Sequence, residues 1–382
     1  MSVFSSAFLL FPSLSKSGSR FEKIGANWIL KGSSDFFGYC MMPPQVIFSE
    51  THEPSSPRKK LLGLLSDGRF HSGTSLADEL GLSRTSVWKQ VAGLGELGIR
   101  IDAVSGRGYR LCRALELLDE TMIRSGLEAD VINEIGCFHI HDLIDSTNRC
   151  LVSALTEPGS KGAVCLAESQ SAGKGRNGKS WVSPFGSNVY LSLTWHYPDG
   201  PAALSGLSLA VGVAVVRALS SLNVRDIRLK WPNDILWNEK KVGGILIEVF
   251  GDTHGPCSVV IGLGLNHAMS LDQAAAIDQQ WVDLATITHH AQPGRNLLVA
   301  SLINEMLRIV SGFNQSGLGP FLREWRELDC MQGKAVILHS GNSEIAGTVL
   351  GIRDDGLIQL ATSDGELRSF ASGEVSFRPG RN

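Results

Sequence analysis

Between Arg58 and Leu111 the sequence changes its period in an order that few folds can accommodate. Lys59–Ser66 places Leu61, Leu62, Leu64 and Leu65 on one apolar helical face. Ser72–Leu80 reads as a capped short helix that turns Leu76, Ala77 and Leu80 inward. Gly81, Leu82 and Ser83 form a tight turn, after which Val87, Val91 and Leu94 restore helical spacing through Arg84–Leu97. The period then becomes two. Ile99 to Val104 alternates apolar and polar, Gly106-Arg107-Gly108 turns, and Tyr109-Arg110-Leu111 returns as a strand. Helix, helix–turn–helix and hairpin predict a winged helix-turn-helix over residues 58–113.

Charge separates this segment from the rest. The 382 residues hold 35 Lys and Arg against 38 Asp and Glu, a net charge of −3. That excludes a uniformly basic nucleic-acid binder and leaves local patches open. Ser55–Arg113 carries ten basic and five acidic residues, net +5, while residues 114–382 sum to −8. Ser83, Arg84, Thr85, Ser86, Lys89 and Gln90 on the second helix of the motif suit base edges and phosphates, and Arg107 and Arg110 join them from the wing. DNA binding is the expectation. A protein–protein adaptor with a solvated basic face is the alternative at this point.

Length predicts two or three domains. After a helical connector at Ala114–Leu127, strand and helix signals alternate to about Cys330, with long helices expected at Ser205–Leu222 and Arg295–Phe313. From Gly333 the segments become short and strand-like, at Ala335–Leu338, Ala346–Ile352, Leu357–Leu360, Leu367–Phe370 and Val375–Phe377, which predicts a small β-barrel over 331–382. The fold class is therefore α/β (α+β), with the body at 114–330. Residues 1–57 differ: they are rich in Ser, Gly and Pro, and the apolar Ala7–Phe11 lacks a preceding Lys or Arg and is cut by Pro12. It fits neither a signal peptide nor a membrane span. A disordered leader, or an over-called start with Met41 or Met42 as initiator, is expected there.

The seven cysteines are odd in number and form no CxxC pair, and Cys137, His139 and His141 lack a second ligand pair. Neither a disulfide framework nor a structural zinc site is expected, and a reducing cytoplasm is. No Ser/His/Asp set or spaced carboxylate pair is visible, and His139, His141, His289 and His290 are read as structural or surface residues. An enzyme built this way works by positioning and electrostatics, not through a covalent nucleophile.

The chemistry-bearing segments are rich in glycine and lysine. Gly173-Lys174-Gly175-Arg176-Asn177-Gly178-Lys179 follows the strand-like Ala163–Ala167. Its spacing matches a dinucleotide fingerprint, with Asp199 about twenty residues on, but that fingerprint needs a helix opening at the third glycine. Here Ser180–Gly186 leads into another strand, Val189–Leu193, so a Rossmann fold is excluded. A flexible loop with three cations remains: either it folds over an anionic ligand or it is an exposed basic loop. Trp181 either stacks on a base or belongs to the core. Lys230-Trp231-Pro232-Asn233-Asp234 reads as a turn that holds a cation near a phosphate or carboxylate, or as a plain surface turn. Lys241–Glu248, opening with Gly243 and Gly244, and Gly262–Asn266 offer bare backbone to a ligand. Together they describe one glycine-lined nucleotide cleft.

These residues, with Asp145-Ser146-Thr147-Asn148, Gln170 and Ala172, Ser183–Gly186, Leu80–Arg84 and Gly106–Tyr109, fall in the order of a known family. Residues 58–382 resemble, end to end, the bifunctional bacterial biotin–protein ligases that also repress the biotin operon. The resemblance implies a body like the catalytic core of class II aminoacyl-tRNA synthetases and an SH3-like C-terminal barrel. It implies that biotin and ATP give biotinyl-5′-AMP with Mg2+, and that a lysine of the biotin carboxyl carrier protein of acetyl-CoA carboxylase then takes the biotinyl group. Lys230 and Arg176 are implied as catalytic, and Ser146, Thr147, Asn148, Gln170, Lys174, Gly175, Arg176, Lys230 and Gly244 as biotin-binding. Lys174, Arg176, Trp181, Lys230 and Asn266 are implied at the adenylate, with no protein metal ligand assigned. Lys174 and Asn177 depart from commoner arginines, and a lysine cannot make a bidentate contact. A cytoplasmic homodimer, formed when adenylate accumulates and binding operator DNA, completes the expectation; no membrane partner is expected. A lipoate–protein ligase and a non-catalytic ligand-responsive regulator are the alternatives.

Overall fold

The computed structural model describes residues 57–371 apart from 253, 341 and 342, together with strands Arg20–Ile24, Asn27–Lys31 and Glu374–Phe377. The chain divides into two compact units at Pro54. In the first, β1 (Arg20–Ile24) and β2 (Asn27–Lys31) pair antiparallel, Arg20 opposite Lys31. The expectation of a leader or over-called start over residues 1–57 otherwise lies outside the described residues.

The second unit opens with the winged module: α1 (Pro57–Leu65), α2 (Gly73–Leu80), α3 (Arg84–Gly95), β3 (Ile101–Val104) and β4 (Gly108–Leu111). Its order and boundaries follow the sequence period closely because the caps are local. Ser72 Oγ accepts the Ser75 N–H at 3.0 Å to start α2, Gly81 ends it at φ +64, and Ser83 Oγ accepts the Ser86 N–H at 3.1 Å to start α3. Leu61, Leu62, Leu65, Leu76, Val87, Leu94 and Leu111 form a separate core, closed by Phe185 from the body. His71 pairs with Tyr109, and Gly108 at φ +99 lies so close to the His71 carbonyl that a Cβ would stand 2.0 Å from it.

The connector departs from the helix expected at Ala114–Leu127. Leu115 N–H donates to the Ser66 carbonyl and Leu118 N–H to Glu168, keeping this stretch out of helix. Asp119 then caps α4 (Glu120–Ser125), and α5 (Ala129–Ile132) follows as a single turn. Tertiary hydrogen bonds here outcompete helix propensity.

The body contains β5 (Phe138–His141), α6 (Thr147–Ser153), β6 (Val164–Ala167), β7 (Asn188–Tyr197), α7 (Leu207–Ser221), β8 (Arg228–Lys230), β9 (Asp234–Trp237), β10 (Lys240–Gly251), β11 (Cys257–Asn266), α8 (Leu284–Ile287), α9 (Arg295–Ser316) and α10 (Gly319–Leu328). Seven strands form one sheet in the order β5-β6-β7-β11-β10-β9-β8; β5 and β6 are parallel and every other neighbour is antiparallel. This is not a doubly wound nucleotide fold. Alternation along β7 sorts its two faces: Val189, Leu191, Leu193, Trp195 and Tyr197 enter the core under α7 and α9, while Ser192 and Thr194 face α6. The helical segments Pro201–Ser221 and Arg295–Ser316 are long and apolar enough to cross a membrane, yet both are mostly buried in this core.

Arg295, 1% exposed, pairs with Glu168 at 2.8 Å and donates to the carbonyls of Glu116 and Asn188, joining connector, sheet and α9. The C-terminal strands β12 (Ala335–Ser340), β13 (Ser343–Ile352), β14 (Ile358–Thr362), β15 (Leu367–Phe370) and β16 (Glu374–Phe377) form one antiparallel sheet in the order β15-β14-β13-β12-β16. Val336, Leu338, Val349 and Leu360 extend the body core into this module.

Candidate active site

A cavity of about 650 Å³ opens on the polar face of the sheet, between the Gly173–Lys179 loop, the Lys230–Asp234 turn and strands β10 and β11. Ser146, Thr147, Asn148, Gln170, Lys174, Gly175, Arg176, Trp181, Lys230 and Gly244 all line it. Asn266 does not. Its side-chain amide is buried and donates to the carbonyls of Lys241 and Val282, so it supports the wall from behind.

One end of the cavity is a fixed polar network. Gln170 Oε1 accepts from Thr147 N–H at 2.9 Å and lies 3.1 Å from Thr147 Oγ1, and Gln170 Nε2 donates to Ser183 Oγ at 3.2 Å. The Ser192 hydroxyl lies 2.7 Å from Thr147 Oγ1 and 2.6 Å from Asn148 Oδ1, and Asn148 Nδ2 donates to Glu248 at 2.8 Å. Because α6 starts at Thr147, its first residues are held by side chains from β7 and β10, with Gly262 of β11 leaving room for Asn148. Such a shell is preorganised for a polar ligand head group.

The other end is cationic. Lys174, Arg176, Lys179, Lys230 and Lys241 line it, with Asp234 and Asp278 as the carboxylates on its wall among the described residues. Lys241 Nζ is 2.6 Å and Lys230 Nζ 3.8 Å from the Asp234 carboxylate, and Arg176 reaches Asn233 Oδ1 at 3.5 Å. The excess of positive charge in a concave, partly desolvated site favours an anion with distributed charge. Among the described residues, no histidine or cysteine lines the cavity.

The loop itself is a hairpin, not the start of a helix. Lys174 bridges Ser180, Gly175 N–H donates to the Lys179 carbonyl at 2.7 Å, and a single 3₁₀ turn spans Arg176–Gly178. Asn177 sits at φ 55, where asparagine is tolerated and arginine is strained, giving a local reason for its presence. Trp181 then lies on β11. A Cβ on Gly264 would come within 2.4 Å of its indole, and a Cβ on Gly262 within 2.3 Å of Asn148 Oδ1. The two glycines thus give clearance to side chains of the site rather than exposing backbone to ligand. Trp181 Nε1 is buried against Gly264 without a hydrogen-bond partner.

Lys241 and Glu248 entered the sequence reading only as the ends of a strand, and Ser192 only as part of one, without a role of their own. Ser192 lies in a mostly apolar strand and Glu248 ends a hydrophobic run, so only strand register brings them to Thr147 and Asn148 behind the cavity wall.

In the winged module Ser83, Arg84, Thr85 and Lys89 are exposed along α3, while Ser86 is half-buried and shares its hydroxyl with Ser83 at 2.9 Å. Arg107 stacks over the Phe70 ring at 4.1 Å, and Arg110 approaches the same ring at 4.7 Å. Trp88, 58% exposed on α3, is an additional surface aromatic that the sequence pattern did not mark.

Known proteins share this organisation. The biotin/lipoate A/B protein ligase family matches residues 140–266, an HTH domain matches 57–110, and a biotin protein ligase C-terminal domain matches 332–378. These define the class: a biotin/lipoate-type ligase domain behind a helix-turn-helix module. The bifunctional ligase/repressor BirA of Salmonella typhimurium is 39% identical over 320 residues, 83% of this chain and 96% of that protein. The Bacillus subtilis protein of the same name is 32% identical over 325 residues, 83% of this chain and 98% of its own length. A biotin protein ligase from Aquifex aeolicus, solved with biotin and ATP, shares the fold with a TM-score of 0.53 over 64% of this chain and 99% of that one, at 24% identity. The chain belongs to the bifunctional ligase/repressor family.

Proposed function

We propose that this chain joins biotin to ATP and transfers the biotinyl group to a carrier-protein lysine, and that its winged module represses transcription when the adenylate is bound. The observation that carries the reading is the convergence of ten marked residues on one cavity, polar at one end and cationic at the other. In the first half-reaction a biotin carboxylate oxygen attacks the α-phosphorus of ATP, the α–β phosphoanhydride bond breaks, and pyrophosphate leaves. In the second, the lysine amine attacks the acyl carbon, loses a proton, and AMP leaves.

The chain's residues divide this work. Thr147, Asn148 and Gln170 hold the biotin end through the network they already share, with Ser146 and Gly244 shaping its walls. Lys230 stands where negative charge grows at phosphorus, with Asp234 fixing it and Lys241 beside it. Lys174, Gly175 and Arg176 close over the acyl-phosphate, and Trp181 packs against the adenine. Mg2+ prefers phosphate oxygens and few protein ligands, which a wall holding Asp234 and Asp278 fits; when bound it offsets phosphate charge. The partners in this reading are the biotin carboxyl carrier protein of acetyl-CoA carboxylase and operator DNA. The adenylate-bound chain acts as a cytoplasmic homodimer.

Incubation with ATP, biotin or lipoate, and apo carrier protein tests the reading by the mass of the carrier. A biotinyl gain on one lysine is expected. A lipoyl gain, or no gain, overturns it.

A further inference from the structure

Beneath α6, away from the cavity and toward the β5 edge of the sheet, three side chains distant in sequence meet. His139 pairs in register with Cys165 across parallel strands β5 and β6, so His139, His141 and Cys165 project from one sheet face. Cys150, on α6, closes over them. His141 Nε2 lies 3.7 Å from Cys150 Sγ, and the ligand atoms of His141, Cys150 and Cys165 all lie within 4.8 Å of one another. Cys165 is fully buried, while His141 and Cys150 are half-buried and within reach of solvent. The biotin network uses none of the three.

Two thiols and an imidazole form a soft, mixed S/N donor set, which selects thiophilic cations over magnesium or calcium. Zinc–sulfur and zinc–nitrogen bonds of about 2.3 and 2.0 Å place tetrahedral ligands roughly 3.5 Å apart, so a closure of about 1 Å brings these atoms to bonding distance. We propose that His141, Cys150 and Cys165 form a binding site for a divalent cation of the zinc class, with the fourth position left to water. Each thiol gives up its proton to solvent as its sulfur binds. The bound ion ties α6 to β5 and β6, the same helix whose first turn carries Thr147 and Asn148. The site is independent of the ligase reading, and each can fail without the other.

The test uses the full chain purified under reducing conditions, with Co2+ as the spectroscopic probe and Zn2+ as competitor. One equivalent of Co2+ is expected to give a sulfur-to-cobalt charge-transfer band that Zn2+ abolishes. Cys150→Ala keeps α6 helical, and is expected to remove the band and to weaken Zn2+ binding by about a hundredfold. Should Cys165→Ser fail to fold, His141→Gln supplies the second variant and is expected to shift or remove the band. Cys330→Ala should leave it unchanged. No thiolate band in the parent protein, a band that survives Cys150→Ala, or a Cys150–Cys165 disulfide that still forms in excess Zn2+ would each overturn the proposal.

Discussion

At the scale of single residues, charge geometry decides function and burial decides pH response. Lys174 is a point charge where a guanidinium would grip an acyl-phosphate through two hydrogen bonds. Lys174→Arg is therefore expected to slow release of the adenylate, measured as the off-rate of the labelled intermediate; an unchanged or faster rate would contradict the reading of this loop. Asp329, next to the strand that carries Lys230, has its carboxyl pushed up to about 6 by burial, above its ordinary 3.8. Folding therefore favours its protonated form. That contribution is full below the unfolded pKa and lost as pH rises through about 6, above which a charge is held in a poorly solvated place. Asp329→Asn keeps an acceptor for the Met331 N–H and stays neutral. It is expected to stabilise the protein by about 1–2 kcal/mol at pH 7.5 and hardly at all at pH 4. Denaturant melts at the two pH values measure it, and an equal effect at both would refute the assignment.

At the scale of elements, the winged module separates residues that read DNA from residues that build the reader. Arg84 is exposed on α3, and Arg84→Ala is expected to weaken operator binding and flatten its salt dependence by about one phosphate contact while ligation continues unchanged. Loss of both activities together would argue against separable modules. Ser83 belongs to the other group. Its hydroxyl caps α3, so Ser83→Ala is expected to cost about 1 kcal/mol of stability and to lower DNA affinity through the helix start. The elements themselves were legible wherever their signals are local: the capped helix from Ser72, the turn at Gly81–Ser83, the alternation of Ile99–Val104 and the turn at Gly106–Gly108. The connector was not. Its apolar residues fit a helix, but hydrogen bonds from Leu115 to Ser66 and Leu118 to Glu168 keep 114–118 out of helix.

At the scale of the whole molecule, one buried ion pair links the parts. Glu168 and Arg295 lie on different elements, and Arg295 also holds the connector that leads from the winged module. Leaving one of two buried charges unpaired costs about 3–5 kcal/mol, so Glu168→Gln, which leaves Arg295 uncompensated, should lower Tm substantially. It should also reduce operator binding more than Arg295-distant variants of equal stability. A Tm within the scatter of the parent protein would show that the pair does not carry this linkage.

The sequence by itself determined the local structure: a winged module of net charge +5, a loop too poor in helix signals to open a Rossmann fold, and short strand segments after Gly333. These are effects of neighbours a few residues apart, and periodicity records them directly. Tertiary structure alone decided what converges. Lys241 reaches the cavity, and Ser192 and Glu248 reach Asn148 on its wall, only because β7, β10 and β11 pair in one register. Cys150 and Cys165 meet His141 only because α6 folds back over two parallel strands. Gly262 and Gly264, read as bare backbone for a ligand, prove to be room for Asn148 and Trp181, since what fills the space above a strand is set by the chain that crosses it.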